Sequence, residues 1–184
     1  TPCGTLFPYT TLFRSVSLAA LLHDIADPKF HDGDEKLGPR MANDFLKSQR
    51  VPKKIRKHVV KIIRHMSFKN SLEGSKKSFE SPELFVVRDA DRLDAIGAIG
   101  IARAFHYGGF KGRKLYDPDT PPNPKMTKDA YMKSKGPTLN HFYEKLLLLK
   151  DRMHTRTARE LAEKRHAFML EFLEEFYAEW NGPA

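Results

Sequence analysis

The chain has one cysteine, Cys3, among 184 residues, which excludes an internal disulfide framework and predicts a reduced, cytoplasmic setting. No apolar run approaches the roughly 20 residues that cross a bilayer. The first residues also lack a basic segment followed by an apolar stretch and a small-residue cleavage site, so neither a membrane span nor a secretory leader is expected. No segment sustains the period-two alternation of a half-buried strand. Acidic residues are scarce in one place: Arg50 to Lys77 holds ten basic residues against a single acid, Glu73, in a chain of net charge +9. A patch of this kind attracts polyanions, whether nucleic acid, an acidic membrane surface or a phosphorylated small molecule, when it is not simply a solvated helix face. Aromatics are equally scarce there, with Phe68 alone, which weakens a reading based on base stacking. No histidine precedes His23.

What is present is helical periodicity, and 40% hydrophobic content in 184 residues suits one domain with a real core. Val16 to Asp27 reads as a helix stopped by Pro28, followed by a polar, turn-rich linker from Pro28 to Leu37. Gly38-Pro39 suits the start of a helix with Met41, Ala42, Phe45 and Leu46 on its apolar face. Pro52 opens another, with Ile55, Val59, Ile62, Ile63 and Met66 inward. Ser67 to Ser81 reads as a loop, and Ser81 caps a long helix opened by Pro82 and Glu83. Its expected inner stripe is Leu84, Val87, Asp91, Ala95, Ala98 and Ala102. Gly97 and Gly100 weaken that helix, a cost best explained by another backbone packing close. From Tyr107 to Pro137 the chain is rich in glycine, lysine and proline and is expected to form a mobile lid. Thr138 is expected to cap a helix carrying Leu139, Phe142, Tyr143, Leu146, Leu147 and Met153. A last helix runs from about Thr155 to Trp180, ended by Gly182-Pro183.

His23-Asp24, behind the apolar run Leu18 to Leu22, and the distant Asp89-Ala90-Asp91-Arg92-Leu93-Asp94 carry the chemistry. Imidazole and carboxylate groups on an apolar helix are costly to desolvate and call for a cation or a hydrogen-bonded partner. Asp91, on the expected apolar stripe, is the best third ligand; the alternative is a buried ion pair with Arg92 or Arg103. Asp27, four residues beyond His23, is placed to position or deprotonate a water, or else to cap the turn before Pro28. His31, Asp32 and Asp34 are expected at the mouth of the same pocket. His58 and His65 share a helix face: His58 is read as structural, and His65 as a second-metal ligand or phosphate donor.

These residues resemble the HD-domain phosphohydrolases, in the branch of small bacterial proteins similar to a Bacillus nucleotide pyrophosphohydrolase. The blocks that carry the resemblance are Ala20-Leu21-Leu22-His23-Asp24-Ile25-Ala26-Asp27, Phe30-His31-Asp32-Gly33-Asp34, the run from Asp89 to Gly100, and Asn140 to Leu147. The resemblance covers about Ser17 to Gly182. The resemblance implies an all-α helical bundle and a divalent metal ion held by His23, Asp24 and Asp91. Manganese is the first candidate, with nickel, iron, magnesium, zinc and cobalt as alternatives. It further implies water attack on a phosphorus of a nucleotide, with Asp27 orienting the water. His65, Lys69, Arg92 and Lys145 are the expected phosphate contacts, chosen more on charge than on motif.

The family pattern also has a histidine on a helix upstream of the His-Asp pair, which this chain lacks. Thr1 to Ser15 shows no usable periodicity and looks like translated sequencing adapter. The expectation is therefore a non-native residue 1–15 segment before a single HD domain over residues 16–184, missing its first helix or helices and impaired in activity. Two further readings stand beside it. One is a non-catalytic HD module that binds a nucleotide or protein partner; the other is a basic nucleic-acid-binding protein.

Overall fold

The computed structural model describes residues 7–66, 79–125 and 135–182. Among these the secondary structure is helical throughout, with no strand. The chain packs as two compact units, Thr1–Arg88 and Asp89–Ala184.

In the first unit α1 (Phe7–Leu22), α2 (Leu37–Ser48), α3 (Lys53–Arg64) and the start of α4 (Pro82–Asp94) enclose one core. Ala19 and Leu22 of α1, Ala42 and Leu46 of α2, Val59, Ile62 and Ile63 of α3, and Leu84 and Val87 of α4 are buried together. A fully buried leucine or isoleucine contributes about 1.5–3 kcal/mol, so this cluster supplies most of what holds the unit. The expected helix Val16 to Asp27 differs at both ends: α1 reaches back to Phe7 and stops at Leu22, with residues 23–26 in a turn. α2 ends in a left-handed cap at Arg50, φ +54°, where the Arg50 N–H donates to the Lys47 carbonyl and the Val51 N–H to that of Leu46. That arrangement satisfies carbonyls which the last helical turn leaves without partners. Ser81 caps α4 as expected, its hydroxyl accepting from the Leu84 N–H at 3.2 Å.

The expected long helix from Pro82 is two helices, α4 and α5 (Gly97–Phe110). Gly97 has φ +77°, a conformation that costs an L-residue roughly 1–2 kcal/mol. Apolar periodicity continues through the break, which is why spacing alone does not reveal it. Arg165 of α6 (Arg156–Asn181) lays its aliphatic stem against Gly97 and donates from its guanidinium to the Leu93 carbonyl, so it caps the end of α4. The close neighbour of Gly97 is thus a side chain, whereas Gly100 meets backbone, the Ala95 carbonyl.

The second unit is built around Phe142, fully buried, which stacks on Phe172 at 5.9 Å. Phe105, Phe176, Tyr116 and Trp180 extend the aromatic cluster along α6. The segment from Thr138 is not a regular α-helix: Phe142–Leu146 winds as a π-turn and Leu147–Arg152 as a 3-10 turn. α6 begins as predicted, with the Thr155 hydroxyl accepting from the Ala158 N–H.

Of the expected lid, the first residues belong to α5, which continues to Phe110, and residues 126–134 lie outside the described residues. Thr138 N–H donates to the Lys114 carbonyl, Leu139 N–H to that of Leu115, and the Asn140 amide to that of Thr120. Buried backbone requires such partners, and here they come from the loop's own two ends.

Gly97→Ala should lower stability by about 1–2 kcal/mol through backbone strain and displacement of Arg165. Gly109→Ala, in α5 with open space around its Cα, should stabilise by about 0.5–1 kcal/mol. Urea unfolding midpoints of the two variants check both signs.

Candidate functional site

His23 is the first residue after α1. Its Nδ1 lies 2.8 Å from the Ala20 carbonyl, so the ring caps a carbonyl that the helix end leaves open. Its Nε2 lies 3.3 Å from the Asp24 Oδ2, a charge-assisted hydrogen bond when the imidazole is protonated. The C-terminal end of α1 adds roughly half a negative charge to the same place. The Asp24 carboxylate is 70% exposed and the His23 side chain 23% exposed, so the pair is reachable from solvent. Imidazole nitrogen with carboxylate oxygen is a donor set that suits a divalent first-row ion, and the residues present therefore fit the metal that the resemblance implies.

Asp27 is half-buried and lies beyond the end of α1, so the expected same-helix spacing from His23 does not hold. Its carbonyl accepts from the Phe30 N–H, opening the 3-10 turn Pro28–Phe30. His31, Asp32 and Asp34 are exposed on the following loop, with Asp32 (φ +50°) and Gly33 (φ +81°) both left-handed. His65 follows α3 and is half-buried, its Nδ1 2.7 Å from the Lys61 carbonyl and its ring 5.5 Å from that of Phe79. His58 meets Glu83 at 3.4 Å and the edge of Phe79, in keeping with a structural role. Lys69 lies outside the described residues. Among the described residues no three His, Cys, Asp or Glu side chains gather into a metal-holding group; His23 and Asp24 are a pair in the first unit, and Asp91 belongs to the second.

The acidic run on α4 corrects the expected inner stripe. Asp91 is exposed, and Ala98 and Ala102 are exposed as well. From Asp89 to Ile96 the buried polar positions are Asp89 and Arg92, at 2% and 6% exposure, three apart on α4, with Ile96 buried just beyond its end. Asp91 lies about 200° round the helix from Asp89, on the side of Leu84 and Val87, and is exposed there. Asp89 is buried by what it binds. Its carboxylate accepts the His154 N–H at 3.0 and 3.1 Å and the Thr155 N–H at 2.7 Å, with His154 Nδ1 a further 3.0 Å contact. Burial pushes the Asp89 carboxyl up, but the hydrogen bonds from His154 and Thr155 outweigh it and hold the group below the usual carboxylate range. Arg92, expected at a phosphate, is buried and donates to the Arg152 carbonyl next to this junction. Arg103, an alternative partner expected for Asp91, pairs with Asp94. Lys145 is half-buried in the π-turn. Beside it, burial raises the pKa of Glu144 against the opposing effects of the Asn123 N–H and Arg113.

Residues 14–96, a stretch that contains His23, Asp24 and Asp91, match the HD domain family. Over 158 residues the chain is 44% identical to the uncharacterised protein YpgQ of Bacillus subtilis, covering 86% of this chain and 68% of YpgQ. The chain belongs to the HD-domain family. Solved structures agree with this assignment. A Bacillus thuringiensis HD-superfamily hydrolase is 44% identical with a TM-score of 0.66, over 92% of this chain and 74% of that one. YpgQ in complex with ADP is 34% identical with a TM-score of 0.65, over 96% and 87% of the two chains. This HD-domain chain is thus all-α with a hydrolase-type fold, and none of its described helices is long and apolar enough to cross a membrane.

The roles of Asp89, His154, Thr155 and Arg152 escape sequence reasoning, because they join residues at least 60 positions apart. The one available signal is Asp89 itself, two residues before the motif aspartate and three before an arginine. Asp89→Asn should cost about 2–3 kcal/mol at pH 7, because an amide cannot accept what an ionised carboxylate does. The folded pKa of Asp89 is depressed, so its stabilisation is complete above the unfolded value of 3.8 and is lost as pH falls through the folded one. Urea midpoints between pH 3 and pH 7 should show the deficit of the variant shrinking only below about pH 4.

Proposed function

We propose that this HD-domain chain is a divalent-metal-dependent phosphohydrolase acting on nucleotides, as a (d)NTP pyrophosphohydrolase in a cytoplasmic setting. The observation that carries the reading is the His23-Asp24 pair, with imidazole nitrogen and carboxylate oxygen 3.3 Å apart at the negative end of α1. The ADP held by the related YpgQ supports a nucleotide as ligand.

In this reading His23, Asp24 and Asp91 hold the ion, with manganese the first candidate. Bound there, a divalent ion would neutralise charge on phosphate oxygens and lower the pKa of an attacking water. Each protein group has its own part. His23 is kept in one tautomer and orientation by the Ala20 carbonyl, as ligating imidazoles are by their second hydrogen bond. Asp27 orients the water and takes its proton. His65, Lys69, Arg92 and Lys145 supply positive charge or hydrogen-bond donors to the phosphates. The products are a nucleoside monophosphate and pyrophosphate, with the α,β anhydride broken and one water consumed.

Incubating each dNTP and NTP with manganese, and assaying both this chain and the longest open reading frame that encodes it, should yield pyrophosphate. His23→Ala and Asp24→Ala should reduce the rate about 100-fold or more. Absence of pyrophosphate and phosphate with all six candidate metals, while ADP still binds, would replace catalysis with the nucleotide-binding module.

Metal stoichiometry gives an independent check. Asp91→Ala should lose manganese while keeping its helical circular dichroism, because Asp91 is exposed and exposed substitutions disturb folding little. Unchanged stoichiometry in that variant would remove Asp91 from the ligand set.

A further inference from the structure

α3 carries a second feature that the phosphohydrolase reading does not use. Between Arg50 and Arg64 there are seven basic residues and no acidic one. At 100° per residue, Lys53, Lys54, Lys57, Lys61 and Arg64 fall within an arc of about 100°, and all five are exposed. The apolar residues Val59, Ile62 and Ile63 lie on the opposite side, in the core. Local electrostatics work against this arrangement. Lys53, Lys57 and Lys61 repel one another at i,i+4 spacing, and Lys53 and Lys54 stand in the first turn, where the helix dipole disfavours cations and no acid compensates. The helix therefore carries its charge at some expense to its own stability, which points to a partner outside the chain.

We propose that this stripe is a docking surface for the sugar-phosphate backbone of duplex nucleic acid, read without regard to sequence. From Lys53 to Arg64 it extends about 16 Å, a straight row of point charges that suits successive phosphates along a rigid strand. Its chemistry separates it from other polyanion binders. The exposed arc holds no apolar residue, whereas helices that lie on anionic membranes bury an apolar face in the headgroup region. The exposed large apolar residues of the first unit near it in sequence, Met41 and Phe45, belong to α2. Nor does the arc hold an aromatic platform for unstacked bases; Phe79 is half-buried with Lys61 Nζ 4.1 Å above its ring.

The test is fluorescence anisotropy of a labelled generic duplex of about 20 base pairs, titrated with the full chain across a salt series. Log affinity should fall linearly with log salt. Replacing Lys53, Lys54 and Lys57 by glutamine, which has similar helix propensity, should weaken binding about tenfold or more at low salt. It should also flatten the salt slope by roughly 2.7, at about 0.9 for each phosphate that is no longer neutralised. Circular dichroism confirms that the variant is folded, and Lys135→Gln, an exposed lysine of the second unit, serves as the single-charge control. Four results would overturn the proposal: no duplex binding, binding that the triple variant leaves unchanged, tighter binding to a single strand, or binding to phosphatidylserine vesicles in preference to the duplex.

Discussion

Asp89 is a buried carboxylate whose partners are two backbone N–H groups and an imidazole at the start of α6. An ionised group in that environment is tolerable only because those donors replace its water. Arg92, one helical turn on, is buried beside it, while Asp91 and Asp94 are exposed. The acidic run is thus divided into one carboxylate that builds the fold and others that solvent can reach. Arg92 reinforces the same junction from the Arg152 carbonyl, and Arg165 closes the end of α4 at Leu93. Both arginines therefore serve backbone carbonyls.

Much of the fold can be read from spacing because the first-unit core is made by regular helices. Ile55, Val59, Ile62 and Ile63 announce α3, and Ser81 and Thr155 mark helix starts by hydroxyls that do accept the expected N–H groups. The departures have a common physical origin in features that leave periodicity intact. A left-handed glycine at Gly97 breaks a helix without altering which residues are apolar. The run Leu146 to Leu149 is apolar on every side, so a 3.6-residue period cannot be told from the π and 3-10 windings that occur there. α1 reaches Phe7 through residues whose apolar spacing is poor.

The candidate site is legible to a different degree. His23 and Asp24 are adjacent, so their meeting needs no tertiary information, and the motif spacing to Asp91 singles out the exposed aspartate rather than the buried one. What sequence does not supply is the environment: that His23 ends a helix instead of sitting inside it, and that the carboxylate shielded from water is Asp89. A carboxylate's burial depends on what its helix face meets, and that of Asp89 meets residues 152–155.

The two charged features of the first unit use helix ends in opposite ways. At His23 the negative end of α1 and the Asp24 carboxylate add to one another and favour positive charge, whether on the imidazole itself or on a bound ion. Along α3 the last-turn cations Lys61 and Arg64 agree with the dipole, but Lys53 and Lys54 oppose it. A stripe selected only for helix stability would place acids in that first turn. The lysines there make the stripe longer and more uniform than α3 itself requires, as the proposed docking of a phosphate backbone needs.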